Sequence, residues 1–242
     1  SDLLLASTTE TKNQIYNKHD IESVYLPENA ITSEMLSSQR LVEVLPGEPV
    51  NIIWVGSLDE RKSLDILLNA LSIVKNTNWH LNVVGTGPLK DKFQMLSKKL
   101  HIDNKVTWVG QVSRKLVNQY YSKSHLHSIT SMSEGNPTTI WEAMAFGIPT
   151  ITFDHCGMHD TVCDKCGVQV PLGSIDEAVR TYAANLNRIF YKPEIINDLS
   201  RGVLLCSANF VWTKRTIQWN TYYDTAVTNW TSSQKFKFKQ DN

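Results

Sequence analysis

Two glutamates, Glu134 and Glu142, bracket the segment Ser133-Glu134-Gly135-Asn136-Pro137-Thr138-Thr139-Ile140-Trp141-Glu142. Asparagine is a favoured helix N-cap and proline fits a first helical turn, so a helix is expected to open at Asn136-Pro137. The amides of Thr138 and Thr139 then stand free at a positive helix end, which suits a phosphate. Glu134 falls in the loop just ahead of that end. Glu142 falls in the second turn, with its side chain leaning back toward the helix start. Carboxylates accept hydrogen bonds from hydroxyls, so the pattern points to a phosphate with sugars on either side. An isolated pair of this kind reads more simply as a capping glutamate and a surface glutamate. The neighbouring pattern decides between them.

Three apolar runs end in glycine: Val55-Gly56-Ser57, Val84-Gly85-Thr86-Gly87-Pro88 and Val109-Gly110-Gln111. If the runs are parallel strands, their carboxyl ends form one ligand edge, where glycine lets a ligand approach the backbone. The cysteines are Cys156, Cys163, Cys166 and Cys206. Cys163-Asp164-Lys165-Cys166 has zinc-knuckle or redox spacing, but a second pair is missing from the sequence. His155, Cys156 and His159 are the residues that would complete a metal site. Free thiols are the expected state, with neither a metal nor a cofactor.

The elements that must position these residues alternate. Residues 50–55 read as a strand buried on both faces. Leu64, Leu67, Leu68, Leu71 and Val74 lie on one helical stripe. Further strands are expected at 80–84, 105–109, 125–130, 148–153 and 168–170. Helices are expected to about 101, over 113–123, over 136–146 and over 158–162. The alternation predicts an α/β fold, a Rossmann-like parallel sheet with helices on both faces, followed from residue 174 by helices alone. Breaks are expected near Lys192-Pro193 and over 209–212. Before the sheet, residues 2–7, 8–17 and 23–26 read as strand, helix and strand, and 30–49 as an irregular linker.

Composition narrows the function. The chain has 242 residues, 24 basic and 24 acidic, so its formal charge is zero. A balanced charge argues against a nucleic-acid partner. With 41% hydrophobic and 20% charged residues it has the material for a packed core. Apolar runs are too short to span a membrane, and the first residues do not read as a signal peptide, which favours a cytoplasmic setting. The tail Lys235-Phe236-Lys237-Phe238-Lys239 reads as a solvated end, or as a contact with an anionic inner membrane face.

The spacing Glu134 to Glu142 resembles the E-x7-E motif of retaining GT-B glycosyltransferases. The wider run from Glu134 to Pro149, with Glu142-Ala143-Met144-Ala145-Phe146-Gly147, is similar to glycosyltransferase family 4, the glycosyl transferases group 1. Residues 55–62, 85–89 and 108–110 resemble that family's donor-domain landmarks. Cys156-Gly157-Met158-His159-Asp160 resembles its bacterial polysaccharide and O-antigen branch. The likeness covers roughly residues 20–225.

The resemblance implies a role for each matched residue. Lys62 would bind the donor diphosphate, with Arg61 either helping or standing as a solvated charge. Ser57 stands where the family usually has a second diphosphate-binding arginine. Gly56, Gly85 and Gly87 fall in the donor landmarks, and Gly110, Gln111 and Val112 in the segment that reads the base. Glu142 would hold the ribose and Glu134 the transferred sugar. Gly135, Asn136, Pro137, Thr138 and Thr139 would form the backbone run over sugar and phosphate. Glu134 and Lys62 are the expected catalytic pair.

The implied organisation is residues 1–26 as the end of an N-terminal acceptor domain, 27–49 a linker, 50–174 the nucleotide-sugar domain, 175–228 helices packing on it, and 229–242 a tail. The implied function is transfer of a hexosyl group with retention from a nucleotide-diphosphate-sugar, a UDP-sugar favoured, without metal. The acceptor would be a glycan or lipid-linked glycan in polysaccharide assembly, reached through the missing domain, and this chain alone would be inactive. The alternatives are a non-catalytic nucleotide-sugar-binding subunit and a nucleotide-sugar epimerase on the same fold.

Overall fold

The computed structural model describes residues 3–240, with side chains through residue 231. A small parallel pair opens the chain: β1 (Leu5–Ala6), α1 (Thr9–His19) and β2 (Val24–Tyr25). Thr8 caps α1 by accepting from the Thr11 amide. After α2 (Ser33–Leu36) the main unit follows. It runs β3 (Val50–Val55), α3 (Leu64–Ile73), β4 (Trp79–Val84), α4 (Lys90–Lys99), β5 (Val106–Gly110), α5 (Arg114–Ser122), β6 (Leu126–Ile129), α6 (Thr138–Ala145), β7 (Thr150–Phe153), α7 (Cys156–Thr161) and β8 (Gly167–Val170). Then come α8 (Ile175–Tyr191), α9 (Glu194–Ser207) and α10 (Trp212–Gln240).

All pairs in the six-stranded sheet are parallel, in the order β5-β4-β3-β6-β7-β8. Strands β6 and β7 are buried along their whole length, as strands covered on both faces must be. Right-handed crossovers send the helices of the two half-sheets to opposite faces. On one face α3 packs on α4 and on α8. On the other, α6 packs against α2 and α9. Ser174 and Glu177 form a capping box that starts α8, and Pro193 separates α8 from α9.

Three expectations need correction. Asn136 does not cap α6, because its Oδ1 accepts from the Trp141 indole at 2.6 Å; Pro137 occupies the cap position and makes no side-chain cap bond. The linker is not wholly irregular, since Thr32 accepts from the Met35 amide and starts α2, and Ile31 bridges to Val211. The chain does not turn to tail at residue 229, since α10 continues to Gln240. The side chains of Lys235, Phe236, Lys237, Phe238 and Lys239 lie outside the described residues.

One buried group makes the sheet pH-sensitive. His127 on β6 is fully covered, with Nδ1 at 3.1 Å from Thr150 Oγ1. Burial, and then the charge of Lys62, push its pKa down to about 3 from 6.5. The unfolded chain therefore binds a proton below pH 6.5 that the folded chain refuses until about pH 3. Stability is full above pH 6.5 and falls as pH drops through that window, by up to about 1.4 kcal/mol per unit. Urea melts between pH 7 and 4.5 should show this slope, and His127→Leu should flatten it. An unchanged slope in the variant would place the acid sensitivity elsewhere.

Candidate functional site

Numbered from β3, the strand order is 3-2-1-4-5-6, so the direction in which strands are added reverses between β3 and β6. The loops after those strands diverge at the carboxyl edge and leave a crevice, the usual ligand position in open α/β sheets. Residues 56–63 form one wall and 130–137 the other.

The two walls are stitched together. The Met132 amide donates to Arg61 O at 2.8 Å, and Thr130 Oγ1 to Lys62 O at 3.1 Å. Arg61 Nη1 donates to Ser133 O at 2.9 Å and to Glu134 Oε1 at 2.8 Å. Lys62 Nζ ion-pairs with that same Oε1. Lys62 and Glu134 are 12% and 11% exposed, whereas Arg61 is 49% exposed. Two cations thus share one carboxylate oxygen, leaving the cluster with one net positive charge. A diphosphate entering here competes with Glu134 for both cations.

Beside this cluster α6 begins without a side-chain cap, and among the described residues the Thr138 and Thr139 amides have no hydrogen-bond partner. The Thr139 hydroxyl oxygen is buried and also unpartnered. The loop ahead of α6 is held by α7, where the Gly157 amide donates to Glu134 O at 2.8 Å. A Cβ on Gly157 would lie 2.3 Å from Gly135 O, so only glycine permits this approach.

Glu142 is held from α5. Arg114 Nη1 reaches Oε1 at 2.6 Å, and the Tyr121 hydroxyl donates to Oε2 at 2.9 Å. Tyr121 is buried and stacks on Phe146 with ring centroids 5.5 Å apart. Burial, then the charge of Glu142, push its phenol well above the ordinary value, so it stays a donor. Glu142 is therefore held in one orientation by its two neighbours.

A groove of about 330 Å³ runs along the ends of β3, β4 and β5. Gly56, Ser57, Gly85, Gln111 and Val112 line it, with Thr86 and Val117. Helix α5 thus supplies both a groove wall, Val117, and the two groups that orient Glu142. Gly87 is not in the lining: its Cβ would meet Leu58 N and O at 2.5 Å. Gly85 has φ +129°, and its Cβ would lie 1.9 Å from Gly56 O. These two glycines let the β3 and β4 loops pack backbone to backbone, and of the two only Gly85 also lines the groove. Gly110 has φ +76° with open space where a side chain would start. A second cavity, about 180 Å³, opens between α1 and the β6–α6 loop, lined by Glu10, Thr11, Ser133, Glu134, Gly135 and Cys156 among others.

The metal grouping considered in the sequence is not the one that forms. His159 Nδ1 pairs with Asp154 Oδ1 at 2.6 Å, and His155 Nε2 lies 2.9 Å from Met132 O. His155 stands at the cap of α7 and His159 in its last turn, whereas Cys163 follows its end. The Cys163/Cys166 pair meets Cys206 of α9 instead. Arg114, Tyr121, Thr86 and Val117 were not expected at the site. Tyr121 reads as one more apolar helical position, and nothing local marks its hydroxyl for Glu142.

A doubly wound α/β unit with a cationic cluster at the switch point and a groove beside it defines the class of open α/β proteins that carry a site at the carboxyl edge of the sheet. The particular family follows from comparison. Residues 38–188 match the family model described as glycosyl transferases group 1, and the chain belongs to that family. It is similar to the lipopolysaccharide 1,6-galactosyltransferase of Escherichia coli K12, at 33% identity over 159 residues, covering 64% of this chain and 43% of that protein. The fold matches the apo lipopolysaccharide outer core galactosyltransferase WaaB with a TM-score of 0.74 at 24% identity, over 94% of this chain and 62% of that one. It also matches the pneumococcal O-GlcNAc transferase GtfA, solved with UDP and GlcNAc, with a TM-score of 0.75 at 19% identity, over 93% of this chain and 45% of that one. The six-stranded unit is thus one half of a GT-B fold. The chain spans about half the length of the curated relatives it matches. Among the described residues no helix is long and apolar enough to cross a membrane.

Proposed function

We propose that this chain is the donor-binding part of a glycosyltransferase that moves a sugar from a nucleotide-diphosphate-sugar, with a UDP-sugar favoured, to a glycan or lipid-linked acceptor in polysaccharide assembly, keeping the anomeric configuration. The observation that carries this reading is the Lys62–Arg61–Glu134 cluster stitched across the switch point, beside the uncapped start of α6.

The base and ribose take the groove between Gly85 and Val112, with Glu142 accepting the ribose hydroxyls. The diphosphate crosses to Lys62, Arg61 and the Thr138 and Thr139 amides. As the sugar–phosphate bond breaks, negative charge grows on the leaving diphosphate, and these fixed donors stabilise it. Glu134, released from Lys62 when the phosphates arrive, turns its carboxylate to the transferred sugar. The acceptor approaches over the α1 side, where Glu134 and Glu10 line the same cavity. Residues 1–26 then belong to the acceptor-binding half of a longer protein, and α10 runs back toward it. Activity beside the inner membrane face suits a lipid-linked acceptor.

A saturation-transfer screen of UDP-, GDP- and ADP-sugars tests the donor class, and UDP-sugar signals should be displaced by UDP. Equal signals from all three bases would refute the base preference. Proton NMR of the product from the full-length enzyme should show the donor's anomeric configuration, and inversion would remove the retaining mechanism.

A further inference from the structure

The turn between α7 and β8 gathers three sulfur atoms. Cys163 Sγ lies 3.5 Å from Cys166 Sγ and 3.8 Å from Cys206 Sγ, and all three lie within 4.8 Å of one another. The turn is closed tightly, since the Cys166 and Gly167 amides both donate to Cys163 O, at 3.0 and 2.9 Å. Cys206 arrives from the last turn of α9, and the contact depends on glycine one turn earlier. A Cβ on Gly202 would sit 1.7 Å from Lys165 O, so α9 can lie directly on the turn only because Gly202 has none.

The geometry points to a metal site: we propose that Cys163, Cys166 and Cys206 bind one soft divalent cation, Zn²⁺ by chemistry, as three thiolates with a fourth position open to water. Tetrahedral zinc with Zn–S near 2.3 Å needs sulfurs about 3.8 Å apart. The two Cys163 distances, 3.5 and 3.8 Å, lie close to that and the third is within 4.8 Å, whereas a disulfide needs about 2.05 Å. The turn also supplies what the metal-bound sulfur requires. The Cys163 amide donates to Cys166 Sγ at 3.3 Å, the kind of N–H to sulfur contact that supports a thiolate. Three thiolates on Zn²⁺ carry one net negative charge, and the Lys165 cation acts on Cys206 to offset it. Cys163 and Cys206 remain partly exposed, which leaves an entry path, while Cys166 is buried.

The turn leads into β8 and so lies at the amino edge of the sheet, opposite the groove. The cation therefore fastens α9 to the α7–β8 turn and takes no part in sugar transfer. Binding displaces up to three thiol protons to solvent, so affinity rises with pH. The site is independent of the donor reading.

The test is a titration of the full chain, reduced and stripped with chelator under anaerobic conditions. One equivalent of Co²⁺ should give a thiolate-to-cobalt charge-transfer absorption, and one equivalent of Zn²⁺ should bleach it. Zn²⁺, but not Mg²⁺, should raise the melting temperature. Cys206→Ser should weaken Zn²⁺ binding at least tenfold, and Cys156→Ser should leave it unchanged. If Cys206→Ser does not fold, Cys163→Ser serves the same purpose. Absence of the charge-transfer band, undiminished affinity in both serine variants, or equal weakening by Cys156→Ser would overturn the site.

Discussion

Replacing Lys62 with alanine is expected to lower the affinity for UDP by tenfold to a hundredfold. A hydrogen bond to a charged group contributes about 1.5–3 kcal/mol, and 1.4 kcal/mol is a factor of ten. Lys62 is largely buried and aimed into the crevice, so little of its effect is lost to solvent screening. The substitution has a second consequence. It leaves Glu134, itself 11% exposed, with Arg61 as its remaining cation, so some stability goes too. The two effects separate in a double variant. Lys62→Ala with Glu134→Gln removes both members of the pair, restoring stability without restoring affinity. Calorimetry and melts of the parent, both single variants and the double variant measure this. If the melting temperature falls in Lys62→Ala while UDP affinity holds, Lys62 is a structural strut.

Replacing Glu134 with glutamine is expected to act in opposite directions on two ligands. In the free chain Glu134 occupies both Arg61 and Lys62, so a diphosphate must displace it. The neutral amide competes less, and bare UDP should bind several-fold more tightly. The UDP-sugar should lose that advantage, because its sugar meets Glu134. In the full-length enzyme kcat should fall by about a hundredfold or more, the scale of a lost transition-state contact. Glu142→Gln should instead weaken UDP and UDP-sugar alike, since Arg114 and Tyr121 hold that carboxylate at the α5 wall of the nucleotide groove. If Glu134 only stiffened the loop before α6, both ligands would lose equally in Glu134→Gln.

Much of the sheet was readable because parallel strands buried on both faces leave continuous apolar runs, as in residues 50–55 and 148–153. The helix breaks at Pro193 and near Asn209 were readable for the opposite reason, since proline and turn-forming residues interrupt a period. The glycines after β3, β4 and β5 marked the correct edge, yet their reason was hidden. Gly85 and Gly87 answer to Gly56 and Leu58, which a linear sequence does not bring together. Asn136 shows how a local rule fails. Its side chain is a good cap, but the Trp141 indole lies within reach and satisfies it instead. Cys206 and the Arg114–Glu142 pair are tertiary meetings, set by α9 and α5 packing, and leave no periodic trace. The sequence marked the residue types of the site; the fold decides which charges face one another.

The most direct test of the donor-site reading is a calorimetric titration of the chain with UDP in the presence of EDTA. The account predicts saturable binding at one site, unaffected by the chelator and weakened at least tenfold in Lys62→Ala. Flat heats with UDP, GDP and ADP at millimolar concentration, or binding that EDTA abolishes, would contradict it.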